Sequence, residues 1–186
     1  MKKIVDFNAE DRIDALLLEA STFYLFGEIN EESVAKTIKW ILYENQKSKE
    51  KKILNLYINS SGGELYQAFA LIDIIRTSHH IIRTIGVGSV MSSAFLIFAS
   101  GAGGERYAGK YTSFMIHQFS DTMDAKYHDL KSAIKESDYC NNRMVEILSQ
   151  ASGLTGIKVK KRLLPESDMF FTAEELLELG IADHTF

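Results

Sequence analysis

Ile53-Leu54-Asn55-Leu56-Tyr57-Ile58-Asn59-Ser60-Ser61-Gly62-Gly63 is the stretch that decides the fold. An apolar, aromatic-containing run stops at a serine–glycine turn, and Leu65, Phe69, Ile72 and Ile75 then recur at helical spacing. This is the signature of a buried strand feeding directly into a helix. The same alternation continues on both sides. Phe23-Tyr24-Leu25-Phe26 predicts a strand closed by Gly27. Asn30 then predicts an N-cap with Glu31 and Glu32 in the first turn, where the helix dipole favours acids, and Val34, Ile38, Ile41 and Leu42 form the expected buried face. Ile81 to Val87 predicts a further strand, followed by the short apolar segment Ser92 to Ala99, and Ser113 to Ile116 predicts another.

A long, polar-rich helix is predicted over about 124–152, with an apolar seam of Leu130, Ile134, Val145 and Leu148 and Gly153 as its terminator. Thr172-Ala173-Glu174-Glu175 reads as a capping box for a last helix, with Gly180 where a C′ residue belongs. Strands alternating with helices imply an α/β fold with a largely parallel sheet. In such folds the sites gather where strand ends meet helix N-termini.

The 186 residues imply one domain, 1–186, able to bury about 70% of the surface its unfolded chain exposes. Cys140 is the only cysteine, which excludes an internal disulfide and a cysteine-rich zinc site and leaves an inert thiol. No two histidines have HExxH spacing, so no metal is expected. The net charge of −4 and the short basic runs Lys47–Lys52 and Lys158–Arg162, which read as solvated faces, argue against nucleic-acid binding. The N-terminus lacks the roughly 7–15-residue apolar core of a secretory signal. The longest apolar run, Ala94–Ala99, is far short of the ~18 residues of a membrane span. A cytoplasmic protein without a membrane segment is therefore expected.

Three segments carry residues suited to chemistry. Ser60-Ser61-Gly62-Gly63 places small residues and free amides at a helix start, where developing negative charge can be held, although a plain strand-to-helix turn has the same composition. No GKS or GKT follows, so this is not a phosphate loop. Gly86-Val87-Gly88-Ser89-Val90-Met91-Ser92-Ser93-Ala94 could present a serine on a tight turn. It does not match GxSxG, and spacing alone does not choose among Ser89, Ser92 and Ser93. Met115-Ile116-His117-Gln118 puts a histidine at a strand end, a place where structural histidines are also common.

Taken together, Phe23–Ile29, Leu56–Gly63, Gly88–Phe98, Gly101, Arg106, Met115–Gln118, Asp168–Glu175 and Gly180–Asp183 resemble the Clp protease proteolytic-subunit (ClpP) family over nearly the whole chain. Matching Ala94-Phe95-Leu96 by appearance would put Met91 at the family's nucleophile position. Counting 25 residues back from His117, or 29 forward from Gly63, puts Ser92 there and also aligns Gly101 and Arg106.

The resemblance then implies a Ser92–His117–Asp168 triad, with the Gly63 and Ser93 amides as oxyanion hole. It implies a ClpP/crotonase-like fold with a head domain and a protruding handle helix, the handle region spanning about 118–152. It further implies stacked heptameric rings forming a tetradecamer, an AAA+ unfoldase partner that delivers unfolded polypeptides, and no cofactor. Two other readings share the fold: a catalytically inactive ring subunit, and a crotonase-superfamily acyl-CoA enzyme. Ser61 stands where the family has proline, Ser167 where it often has arginine, and Phe119–Asp124 replaces its Pro- and Gly-rich segment after the histidine.

Overall fold

A computed structural model describes residues 8–120 and 126–186. The chain runs α1 (Ala9–Glu19), β1 (Thr22–Phe26), α2 (Glu31–Lys47), β2 (Ile53–Ser60), α3 (Leu65–Thr77), β3 (Ile81–Met91) and α4 (Ser93–Ala99). It continues through β4 (Arg106–Ala108), β5 (Ser113–Ile116), α5 (Tyr127–Ser152), α6 (Gly156–Arg162), β6 (Met169–Phe171), α7 (Ala173–Glu178) and β7 (His184–Thr185). The main sheet has the order β1-β2-β3-β4-β7, every pair in it parallel. β5 joins the far end of β3 in parallel register, and β6 pairs antiparallel with β5. The predicted α/β architecture with a mostly parallel sheet is thus observed.

Strict alternation along β2 buries Leu54, Leu56, Ile58 and Ser60 against the helical layer. All seven residues of α4 are buried, so its Phe95, Leu96, Ile97 and Phe98 form the centre of the core. At roughly 1.5–3 kcal/mol for each fully buried large apolar side chain, this short helix is among the best anchored parts of the chain, and the residue immediately before it is held accordingly. Asn30 caps α2 through a reciprocal exchange with Ser33. Thr172 and Glu175 form the predicted capping box, and Gly180 and Gly153 adopt left-handed φ after their helices. Lys158, Lys160, Lys161 and Arg162 are exposed, as expected of a solvated face.

Several expectations are corrected. On α2 the buried face is Val34, Thr37, Trp40, Ile41 and Glu44, while Leu42 is 48% exposed and Ile38 only partly buried. Glu44 can take a core position because Lys52 reaches it at 2.5 Å from the start of β2. On α5 the seam that meets the core is Cys140, Met144, Ile147 and Leu148, with Val145 packed at its margin. Leu130 and Ile134, predicted to share that seam, are exposed, because the N-terminal half of α5 extends past the core. α5 starts at Tyr127; the predicted start at Asp124, the rest of Asp121–Ala125, and Met1–Phe7 lie outside the described residues. β3 runs four residues beyond Val87, to Met91. α1, which buries none of its residues, and α6 were not anticipated.

Candidate active site

The extension of β3 brings residue 92 to the site. Val90 and Met91 pair with Phe114 and Met115 of β5, and Ser92 N–H donates to the Met115 carbonyl at 2.8 Å. The chain then turns sharply into α4, leaving Ser92 at φ 52°, ψ −124°. Positive φ on a residue with a Cβ costs of order 1–3 kcal/mol, and it persists here because β3 on one side and the buried α4 on the other both fix the backbone. The three serines left open by spacing are now distinct. Ser89 N–H and Oγ–H both donate to Asn59 Oδ1, at 3.0 and 3.2 Å. Ser93 is 2% exposed. Ser92 is half-buried, on the strained turn, and faces a cleft of about 460 Å³ that Gly63, Ser93 and His117 also line. Met91, one residue back, is not among the residues lining that cleft.

Gly62 and Gly63 form the opposite wall. Ile29 N–H donates to the Gly62 carbonyl and Glu64 N–H to the Ile29 carbonyl, at 2.9 and 2.7 Å. This exchange leaves the Gly63 amide between them without an acceptor among the described residues. The Ser93 amide, first in α4, is likewise without one. The two free N–H groups border the same cleft as Ser92, the arrangement an oxyanion hole requires. Glycine is needed at both positions. At φ +101°, a Cβ on Gly62 would lie 2.8 Å from Ser92 Cβ. At φ +148°, one on Gly63 would lie within the Ile29 carbonyl oxygen.

His117 follows β5 directly and is half-buried. Its Nδ1–H donates to the Gln118 carbonyl at 2.5 Å, since a carbonyl only accepts. Gln118 Nε2 in turn donates to the carbonyls of Leu164 and Pro165, at 3.0 and 3.1 Å, tying the approach to β6 against the end of β5. Asp168, exposed, precedes β6. The β5–β6 ladder pairs Phe114 with Phe171, Met115 with Phe170 and Ile116 with Met169. The ladder ends there, and His117 and Asp168 are the residues that directly follow Ile116 and precede Met169. Among the described residues there is no hydrogen bond between Ser92 and His117 or between His117 and Asp168, and Asp168 does not line the cleft. The structure therefore unites Ser92, Ser93, Gly63 and His117 around one cleft and leaves Asp168 outside its lining, one residue before β6. Among the described residues no group of three or more His, Cys, Asp or Glu is arranged to hold a metal ion. No described helix is long and apolar enough to cross a membrane.

The site also contains features that residue patterns did not reveal: the strained turn at Ser92, the anchor provided by Gln118, and two carboxylates, Glu28 and Glu64, on the cleft wall. Only Gln118 had a visible signal, its place beside His117. A strand-end serine on a strained turn, a histidine on the same cleft and two free amides, one at a glycine pair and one at the start of α4, are parts of a serine peptidase, and comparison with known proteins agrees at the level of the family. The pattern of the Clp protease family matches residues 7–186. The chain belongs to the Clp protease family. It is 28% identical over 167 residues to the ATP-dependent Clp protease proteolytic subunit 2 of Thermobifida fusca, covering 90% of this chain and 81% of that protein. At this distance it is a divergent Clp protease, and membership sets the acyl-CoA reading aside.

Proposed function

We propose that this Clp protease is an active serine endopeptidase of the cytoplasm, with Ser92 as nucleophile, His117 as general base and acid, and Asp168 as the group that braces the imidazole. Ser92 Oγ attacks the scissile carbonyl while His117 Nε2 takes its proton. The Gly63 and Ser93 amides bind the resulting oxyanion, and His117 returns the proton to the leaving amine. The observation that carries this reading is the shared cleft. It holds the half-buried Ser92 on its strained turn, the His117 imidazole with Nδ1 bonded to the Gln118 carbonyl, and two unpaired amides. The Gln118 carbonyl holds the right tautomer but carries no charge to stabilise an imidazolium. In the working enzyme Nδ1–H moves from that carbonyl to the Asp168 carboxylate, a side-chain rotation that leaves the β5–β6 register unchanged.

The residues 1–186 would form one domain, with a crotonase-like head and α5 within a handle over about 118–152. Stacked heptameric rings would enclose the sites, and an ATP-dependent unfoldase would deliver unfolded polypeptide. Assembly is supported by large apolar side chains left in solvent on a single chain, such as Tyr24, Phe26, Ile134, Ile157 and Phe170. Leu130 and Ile134 on the free half of α5 are the residues a second ring would cover.

A fluorophosphonate probe should label Ser92, and Ser92→Ala should lower peptide hydrolysis on the order of 10⁶-fold. Hydrolysis that survives Ser92→Ala rejects the assignment. The absence of both triad hydrogen bonds in the described chain favours a second reading, a structural subunit that needs an active relative. Unaided cleavage of small peptides by the purified, assembled protein eliminates it.

A further inference from the structure

The side chains around the candidate nucleophile are rich in hydrogen-bond acceptors and poor in cations. Glu28 and Glu64 both line the cleft, and the Ile29–Gly63 bridge holds them on adjoining backbone. Both are exposed, and neither has an ion-pair or hydrogen-bonding partner for its carboxylate among the described residues. Glu64 occupies the N-cap of α3 yet makes no side-chain capping bond. Gln118 spends its amide N–H groups on Leu164 and Pro165, which leaves Oε1 as an acceptor. Ser93, also in the wall, is 2% exposed, and its Oγ has no hydrogen-bonding partner. A buried hydroxyl left unpaired costs about 1–3 kcal/mol, and a donor arriving with a ligand removes that cost. No lysine or arginine is among the described residues that line it. Leu65 and Met144, both buried, supply an apolar patch behind these groups.

We infer that the cleft selects substrates with a lysine or arginine side chain next to the scissile bond: its methylenes lie along Leu65 and Met144 and its cationic head meets Glu28, Glu64, Gln118 Oε1 and Ser93 Oγ. Lysine and arginine donate hydrogen bonds without accepting any and carry a positive charge, which is the complement of this lining. Their stems suit an apolar wall while the head stays near water. An acidic side chain in the same place meets two like charges. The inference rests on the peptidase reading and specifies its substrate class.

The test uses the assembled full-length protein and matched fluorogenic peptides with Arg, Leu or Glu before the cleaved bond, together with mass-spectrometric mapping of cleavage sites in a denatured protein. The Arg peptide should exceed the Leu peptide by roughly 5–20-fold in kcat/KM, each carboxylate supplying roughly 2–5-fold. The preference should shrink at 0.5 M salt, on the order of the Debye screening expected for exposed charges. Glu28→Gln and Glu64→Gln should lower the Arg-to-Leu ratio, and the double variant should bring it near one. Equal or better cleavage of the Leu or Glu peptide, or a ratio unmoved in the double variant, overturns the selectivity and leaves the peptidase reading standing. No cleavage of any peptide, with Ser92 unlabelled by the probe, overturns the peptidase reading and the selectivity with it.

Discussion

Gly62→Ala should disable the site while leaving the fold in place. The new Cβ would stand 2.8 Å from Ser92 Cβ, 2.9 Å from the Met91 carbonyl oxygen and 3.3 Å from the Ser93 amide. Carbon atoms sit comfortably at about 3.5–4.0 Å, so Ser92 and the glycine turn must separate by at least ~0.7 Å. The φ of +101° adds backbone strain for any residue with a side chain. Ser92 is held from two sides, by β3 and by α4, so the displacement falls on the distance between Ser92, with its adjoining Ser93 amide, and the Gly63 amide across the cleft. A misplacement of about 1 Å can cost on the order of 10² in rate, so a loss of roughly 10–100-fold is expected in kcat/KM and in the rate of fluorophosphonate labelling. Two other glycines calibrate the result. Gly63→Ala drives its Cβ into the Ile29 carbonyl and should abolish folded protein, whereas Gly103→Ala meets nothing within 4 Å and should behave as wild type. A folded Gly62→Ala protein labelled within about twofold of the wild-type rate would refute the reasoning, since Ser92 would then not be seated against this turn.

Two further perturbations address stability. Arg106 is 6% exposed and holds Asp183 through Nη2 and Nε, at 2.7 and 2.8 Å, while Nη1 donates to the Ala151 carbonyl. Burial pushes the Asp183 carboxyl up, but hydrogen bonds from the Arg106 side chain and amide, with its charge, outweigh burial and leave the carboxyl below its ordinary value. The unfolded chain therefore binds the proton more readily, so this stabilisation is complete above about pH 4 and is lost as pH falls through the lower folded value. Urea midpoints between pH 6 and 2.5 should show a slope that Asp183→Asn flattens; an unchanged slope rejects the linkage. In the second cluster, Glu44 is fully buried while Lys52 and Lys47 are 30% and 40% exposed. Lys52→Met strands a buried carboxylate and should cost about 3–5 kcal/mol, whereas Lys47→Met, at 3.4 Å and closer to water, should cost under ~1 kcal/mol. Equal costs in chemical denaturation would show that Lys52 is not the partner that admits Glu44 to the core.

The elements whose existence depends on local chemistry were legible. Asn30, Thr172 and Gly153 mark helix ends because capping is settled within a few residues. The faces were less so. Periodicity finds an apolar stripe but not what covers it. Leu42, Leu130 and Ile134 satisfy the helical spacing and are left in solvent, while Thr37 and Glu44 enter the core because Ser33 and Lys52 satisfy their polar atoms. The length of β3 was hidden for a related reason. Gly86 and Gly88 suggest a break, yet the β2–β3 register shifts between Ile58 and Ser60 and the strand resumes, with Asn59 bonding Ser89 across the irregularity.

That irregularity also explains why the nucleophile could not be chosen from residue types. Three serines within five residues offer the same hydroxyl, and what separates them is partnership and backbone. One is bound to Asn59, one is the buried first residue of α4, and one sits where a strand ends and that helix begins. Met91 is the last paired residue of β3 and is not among the residues lining the cleft. The proposed acid–base pair lies at the end of a second ladder: His117 and Asp168 are 51 positions apart in the chain, and each adjoins the last pair, Ile116 with Met169, of two antiparallel strands. Registers of this kind are set by long-range pairing, so the constellation belongs to the sheet and not to any of the three local motifs. For the proposed triad to close, His117 has to exchange the Gln118 carbonyl for the Asp168 carboxylate at Nδ1, and Ser92 Oγ has to meet Nε2.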